Sequence, residues 1–133
     1  MRILFALFIL AGGLIASHIP AEARIKPSNR PSTATSCVPK DLQRTLNEVR
    51  RKFGPVRVVS THRPGAKIAG SGRRSLHADC RAVDFTPPAG KYKQVASWLK
   101  ANHSGGVGTY SCGMNHIHID NGSRTRFHRC GRG

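Results

Sequence analysis

Four cysteines spread along the chain, Cys37, Cys80, Cys112 and Cys130, constrain its folding more than any other feature. None belongs to a C-x-x-C pair, which argues against a thiolate metal site. The chain also begins like an export signal, with Met1-Arg2, an apolar run from Ile3 to Ala16, and Ala21-Glu22-Ala23 as an A-x-A cleavage site. That run is interrupted by Gly12-Gly13 and falls short of the roughly 20 residues a membrane span needs. An exported chain meets an oxidising compartment, so two disulfides are expected. The chain beyond residue 23 is long enough for one small domain, a size at which cross-links matter.

The expected organisation is a signal peptide over 1–23, a flexible Pro-, Ser-, Thr- and Arg-rich lead-in over 24–36, and one domain over 37–133. No later segment is apolar enough to cross a bilayer. Leu42, Leu46, Val49 and Phe53 recur at helical spacing after Pro39, with Gly54-Pro55 as the stop. Val56 to Ser60 and Arg81 to Phe85 read as strands, separated by a Gly-, Arg- and Lys-rich loop. Tyr92 to Ala101 reads as a second helix, with Gly105-Gly106-Val107-Gly108 leading to the last strands. The order implies an α+β domain with a small, mainly antiparallel sheet flanked by helices. His116 to Asp120, the turn Asn121-Gly122-Ser123 and Arg124 to His128 read as a hairpin. Cys112 and Cys130 are equidistant from Asn121, so a hairpin pairs Cys112 with Cys130 and leaves Cys37 for Cys80.

A formal charge of +16 and a pI near 11.3 attract polyanions. Composition does not separate nucleic acid, anionic lipid, wall phosphates and a carboxylate-rich wall from mere solubility. Export and the absence of a nucleic-acid motif or aromatic stacking platform argue against a specific nucleic-acid partner. Nothing resembles a dimerisation helix, and a monomer is expected.

Chemistry concentrates in two clusters, Ser75-Leu76-His77-Ala78-Asp79-Cys80-Arg81-Ala82-Val83-Asp84 and Asn115-His116-Ile117-His118-Ile119-Asp120. Zinc takes imidazole nitrogen and carboxylate oxygen, and a catalytic site keeps three protein ligands with a fourth position open. His77 at a loop end, Asp84 on the next strand and His118 on another would supply such a set. Period-two geometry puts His116, His118 and Asp120 on one sheet face, with Ile117 and Ile119 turned to the core. Apart from Glu22 in the leader, the acidic residues are Asp41 and Glu48 on the first helix and Asp79, Asp84 and Asp120.

Ser75-x-His77-x6-Asp84 with Ala82, followed by Asn115-x-x-His118-x-Asp120 behind Gly106-Val107-Gly108-x-Tyr110, resembles the zinc D-Ala-D-Ala carboxypeptidase family of metallopeptidases. That group has the hedgehog/DD-peptidase fold, and the similarity is nearest to its short YcbK-like exported branch. The resemblance implies that His77, Asp84 and His118 bind Zn2+, and that Arg63, in Ser60-Thr61-His62-Arg63, pairs with a substrate carboxylate or an adjacent carbonyl. Ser75 would orient the site or contact substrate, though a turn role suits it equally. Two positions depart from the family pattern: Cys80 stands where glycine is common, and Asn115 where many relatives carry a glutamate base. His116 is then the candidate general base or stabiliser of the tetrahedral intermediate, and Asp120 a partner that orients a ligand histidine. Asp79 could orient a histidine too, or be exposed.

The implied function is hydrolysis of peptidoglycan stem peptides at bonds involving D-amino acids, of D,D-carboxypeptidase or endopeptidase type, in the periplasm or cell envelope. The alternative is a non-catalytic metal-binding module that holds the wall or another anionic envelope polymer.

Overall fold

The computed structural model describes residues 36–130. The expected signal peptide, most of the lead-in and the last three residues lie outside that range. The elements are α1 (Lys40–Phe53), β1 (Arg57–Ser60), a 3-10 turn (Leu76–Asp79), β2 (Ala82–Thr86), α2 (Tyr92–Asn102), β3 (Val107–Ser111), β4 (Ile117–Asp120) and β5 (Arg126–Cys130). The strands form one sheet in the order β1-β2-β4-β3-β5, antiparallel except for the β3–β5 pair. The fold is α+β, as the order of elements implies.

Burial assigns the two faces of the sheet. Val83 and Phe85 of β2, Ile117 and Ile119 of β4 and Val107 of β3 are fully buried, and they pack with Leu42, Leu46 and Val49 of α1 and Val95 and Leu99 of α2. Both helices therefore cover one face, through the apolar stripes that their spacing predicts. Period two turns the alternate residues, Asp84, His118 and Asp120, to the other face. Arg126 of β5 reaches under the helix layer, where its guanidinium donates to the carbonyls of Lys100, His103 and Gly105 at 3.1, 2.6 and 2.5 Å. The Lys100 and His103 carbonyls are acceptors that the end of α2 leaves unpaired, and Gly105 lies in the loop just beyond.

The expected hairpin is not formed. β4 pairs with β2 and β3, while the chain after Ser123 crosses to the far side of β3 and β5 runs parallel to it. The reason is positional: β3 fills the place beside β4 that a hairpin partner would take. The Cys112–Cys130 disulfide forms all the same, because the parallel register sets Ser111 beside Cys130. Cys37 pairs with Cys80, so the expected connectivity holds although the hairpin geometry behind it does not.

Cys80 occupies the left-handed region at φ 55°, ending the 3-10 turn, with its amide donating to the His77 carbonyl at 3.3 Å. Glycine is the default residue there. A cysteine is held in this conformation by its bridge to Cys37, which ties the start of α1 to the turn that carries His77. Removing either disulfide is expected to cost about 2–5 kcal/mol of stability. Only Cys37→Ser/Cys80→Ser is expected to weaken metal binding as well, and urea unfolding beside zinc titration checks both effects. Equal metal affinities in the two double variants would contradict this role for Cys80.

Candidate metal centre

The centre is assembled by strand register. Asp84 of β2 and His118 of β4 are direct cross-strand partners, and the antiparallel ladder sets their side chains side by side. His77 arrives from the 3-10 turn that Ser75 caps, the Ser75 hydroxyl accepting from the His77 amide at 3.3 Å. A bulge between Val58 and Ser60 at the end of β1 shifts the register there. Just beyond it, the Thr61 carbonyl lies 2.6 Å from His77 Nδ1, and the Arg63 amide donates to the His77 carbonyl at 2.9 Å. Bulges re-aim a strand in this way.

His77, Asp84 and His118 are all buried, and one ligand atom from each lies within 4.8 Å of the others. His77 Nε2 is 3.1 Å from Asp84 Oδ2, and His118 Nδ1 is 2.9 Å from Asp84 Oδ1. The two imidazole nitrogens are 3.2 Å apart. On each ring the remaining nitrogen is occupied: His77 Nδ1 donates to Thr61, and His118 Nε2 lies 3.0 Å from Asp120 Oδ2. Such outer partners fix the tautomer that leaves the inner nitrogen free for a metal. Two imidazoles and one carboxylate, converging with their outer sides anchored, fit a divalent transition metal, zinc included.

Asp120 is anchored in turn. Its Oδ1 accepts from the Gly106 and Gly122 amides at 3.1 and 2.8 Å. A Cβ on Gly106 would collide with the Asp120 carboxylate, and one on Gly108 with the Phe127 ring, which lies 5.7 Å from His118. The two glycines of the Gly106-Val107-Gly108 run thus make room for the groups that hold and cover His118. His103, buried at the end of α2, holds the Asp120 carbonyl with Nε2 at 2.8 Å. Its contribution, like that of Phe127, was not legible in the sequence, because neither belongs to a motif with ligand spacing.

The charges follow this geometry. Burial pushes the Asp84 carboxyl upward, but hydrogen bonds from His118 and His77 outweigh it and hold Asp84 well below the usual carboxylate range. Burial likewise opposes protonation of His118, yet its bonds to Asp120 and Asp84 raise it to about 9. Burial also disfavours the charged form of Asp120, and the His118 bond and the two glycine amides outweigh that, lowering its pKa.

Around the centre, Arg63 Nη2 stands 3.5 Å from Asp84 Oδ2, with about half of its side chain exposed. His116, just before β4, stacks on Tyr110 with ring centroids 4.4 Å apart. Tyr92 joins that pair, its hydroxyl lying 3.0 and 3.1 Å from the carbonyls of Tyr110 and His116 and accepting from the Tyr110 amide at 2.7 Å. Asp79 is turned outward and paired with Arg74 at 2.5 Å, so it orients neither His77 nor His118.

A family model described as Peptidase M15 matches residues 18–120, and the chain belongs to that peptidase family. No curated protein and no solved structure matches the chain.

The proton on His118 gives a direct test. Its pKa in the metal-free fold lies above the ordinary value of 6.5, so its ion pairs stabilise that fold fully below pH 6.5 and are lost as the pH rises through about 9. A metal held through His118 Nδ1 would have to displace that proton, so zinc binding at pH 7.5 should release at least one proton, measured by calorimetry in buffers of different ionisation enthalpy. Binding heat independent of the buffer would refute the assignment. Separately, Asp120→Asn and Gly106→Ala are each expected to lower metal affinity roughly 10- to 100-fold, in a competition titration with a chromogenic chelator. Unchanged affinity in both would remove Asp120 from the site.

Proposed function

We propose that this member of the M15 peptidase family is an exported zinc D,D-peptidase that hydrolyses peptidoglycan stem peptides. The observation that carries the reading is the convergence of His77, Asp84 and His118, in a chain of that family, beside the half-exposed Arg63 and a third histidine, His116. Zinc, when bound by these three residues, supplies a Lewis acid and lowers the pKa of water.

In this reading the chain's own groups divide the remaining work. Burial, together with the nearby charges of His118 and Arg63, lowers the pKa of His116 against the opposing pull of Asp84. The lowered pKa favours the neutral imidazole, the form able to take the proton of an attacking water and return it to the leaving amine. Arg63 offers a planar fork to the substrate's terminal carboxylate or a neighbouring carbonyl. Tyr92 and Tyr110 hold His116 from behind, by hydrogen bonds to its backbone and by stacking on its ring. The basic surface favours a carboxylate-bearing wall, and the proposed place of action is the periplasm or cell envelope.

A second reading is favoured by the scarcity of carboxylates. Asn115 is exposed, Asp79 is committed to Arg74, and Asp84 and Asp120 are committed to the centre. A chain lacking a carboxylate base could retain the metal and bind the wall without cutting it.

Metal removal should abolish cleavage of stem peptides, followed by mass spectrometry of the products, and added zinc should restore it. His116→Ala should lower kcat roughly 10²- to 10⁴-fold while zinc content and wall binding stay unchanged. Cleavage that survives chelation would refute the zinc mechanism. A wild-type chain that binds wall fragments without cutting them would establish the second reading.

A further inference from the structure

The register of the sheet shows a row of side chains beside the metal centre that its ligand set does not use. Direct cross-strand neighbours point to the same face. Asp84, His118, Gly108 and Phe127 are successive partners across β2, β4, β3 and β5 and make one row on the site face. Two residues further along, Tyr110 of β3 is the partner of Arg129 of β5, and period two returns both to that face. Tyr110 stacks on His116. A second row, His116, Tyr110 and Arg129, therefore runs alongside the first.

Arg129 is held in place, and its charge is uncompensated. Its Nη1 donates to the Ala69 carbonyl at 3.1 Å, and its guanidinium lies 5.8 Å from the centre of the Phe127 ring that covers His118. Among the described residues it makes no ion pair. A guanidinium has five N–H donors in a rigid fork, so one bond to a carbonyl leaves an edge for bidentate binding of a carboxylate. Arg63 stands at the other end of the first row, beside Asp84. The charges of both arginines reach the Tyr110 phenol, where they offset part of the upward push of burial and of Asp84.

We propose that Arg129 is a second carboxylate-binding group of the cleft, so that the substrate is an acidic peptide with two carboxylates, one met by Arg63 and the other by Arg129. This rests on the peptidase reading above and adds to it the class of peptide selected. Arginines at both ends of the site, one paired with Asp84 and the other anchored on Ala69, read a separation between two carboxylates, which diffuse positive charge does not do.

The test uses two peptides that differ only by amidation of the non-terminal carboxylate, the one assigned to Arg129, with binding to the zinc-loaded chain measured by calorimetry and cleavage by kcat/KM. Wild type should bind the dicarboxylate roughly 10- to 100-fold tighter than the monoamide, and Arg129→Gln should shrink that ratio to about twofold or less. Arg129→Gln should leave zinc content unchanged and weaken the dicarboxylate far more than the monoamide, and Arg129→Lys should keep part of the ratio. A wild type with no preference, or a preference kept by Arg129→Gln, would overturn the proposal. Discrimination in binding with cleavage of neither peptide would support Arg129 as a carboxylate reader while refuting the peptidase reading.

Discussion

The pairing of Asp84 with His118 across the β2–β4 ladder is the interaction on which the rest of the molecule depends. It places a carboxylate and an imidazole on the open face of the sheet while their neighbours, Val83, Phe85, Ile117 and Ile119, close the core on the other. A slip of one residue would exchange the faces, burying the ligands under the helices and exposing four apolar side chains. The core thus enforces the register of the metal centre, and stability and site geometry are two readings of one ladder. The disulfide at Cys80 and the bulge after Val58 then bring the third donor, His77, to a position that the ladder has fixed.

Groups around the donors serve chiefly to hold them. Asp120 binds the outer nitrogen of His118, Gly106 and Gly122 bind Asp120, and His103 secures its backbone. Without a metal, this arrangement gathers one protonated histidine and two carboxylates in a buried space, where each depends on the others for its charge. A metal bound there would take over part of that compensation, which would couple loading to protonation.

Much of this was legible in the sequence because its physics is local. The stripe Leu42, Leu46, Val49 needs only the helical period, and the alternation from His116 to Asp120 needs only the strand period. The clustering of histidines with scarce carboxylates marked His77, Asp84 and His118, which the fold brings together. The path of β5 was not legible, since Asn121-Gly122-Ser123 is a sound turn with or without a hairpin beyond it. Which strand lies beside β4 is decided by long-range packing, with β3 placed there through Gly106 and Gly108 and their close contacts with Asp120 and Phe127. Tyr92, His103 and Arg129 act through a backbone carbonyl or a ring face, and such contacts leave no mark in residue spacing.

The most direct test of the metal centre is a crystal structure of the zinc-loaded protein with anomalous data collected across the zinc absorption edge. The expected result is a single strong anomalous peak, coordinated by His77 Nε2, Asp84 and His118 Nδ1, with Asp120 still bonded to His118 Nε2. Zinc held by other residues, or no ordered zinc between β2, β4 and the His77 turn, would contradict the assignment.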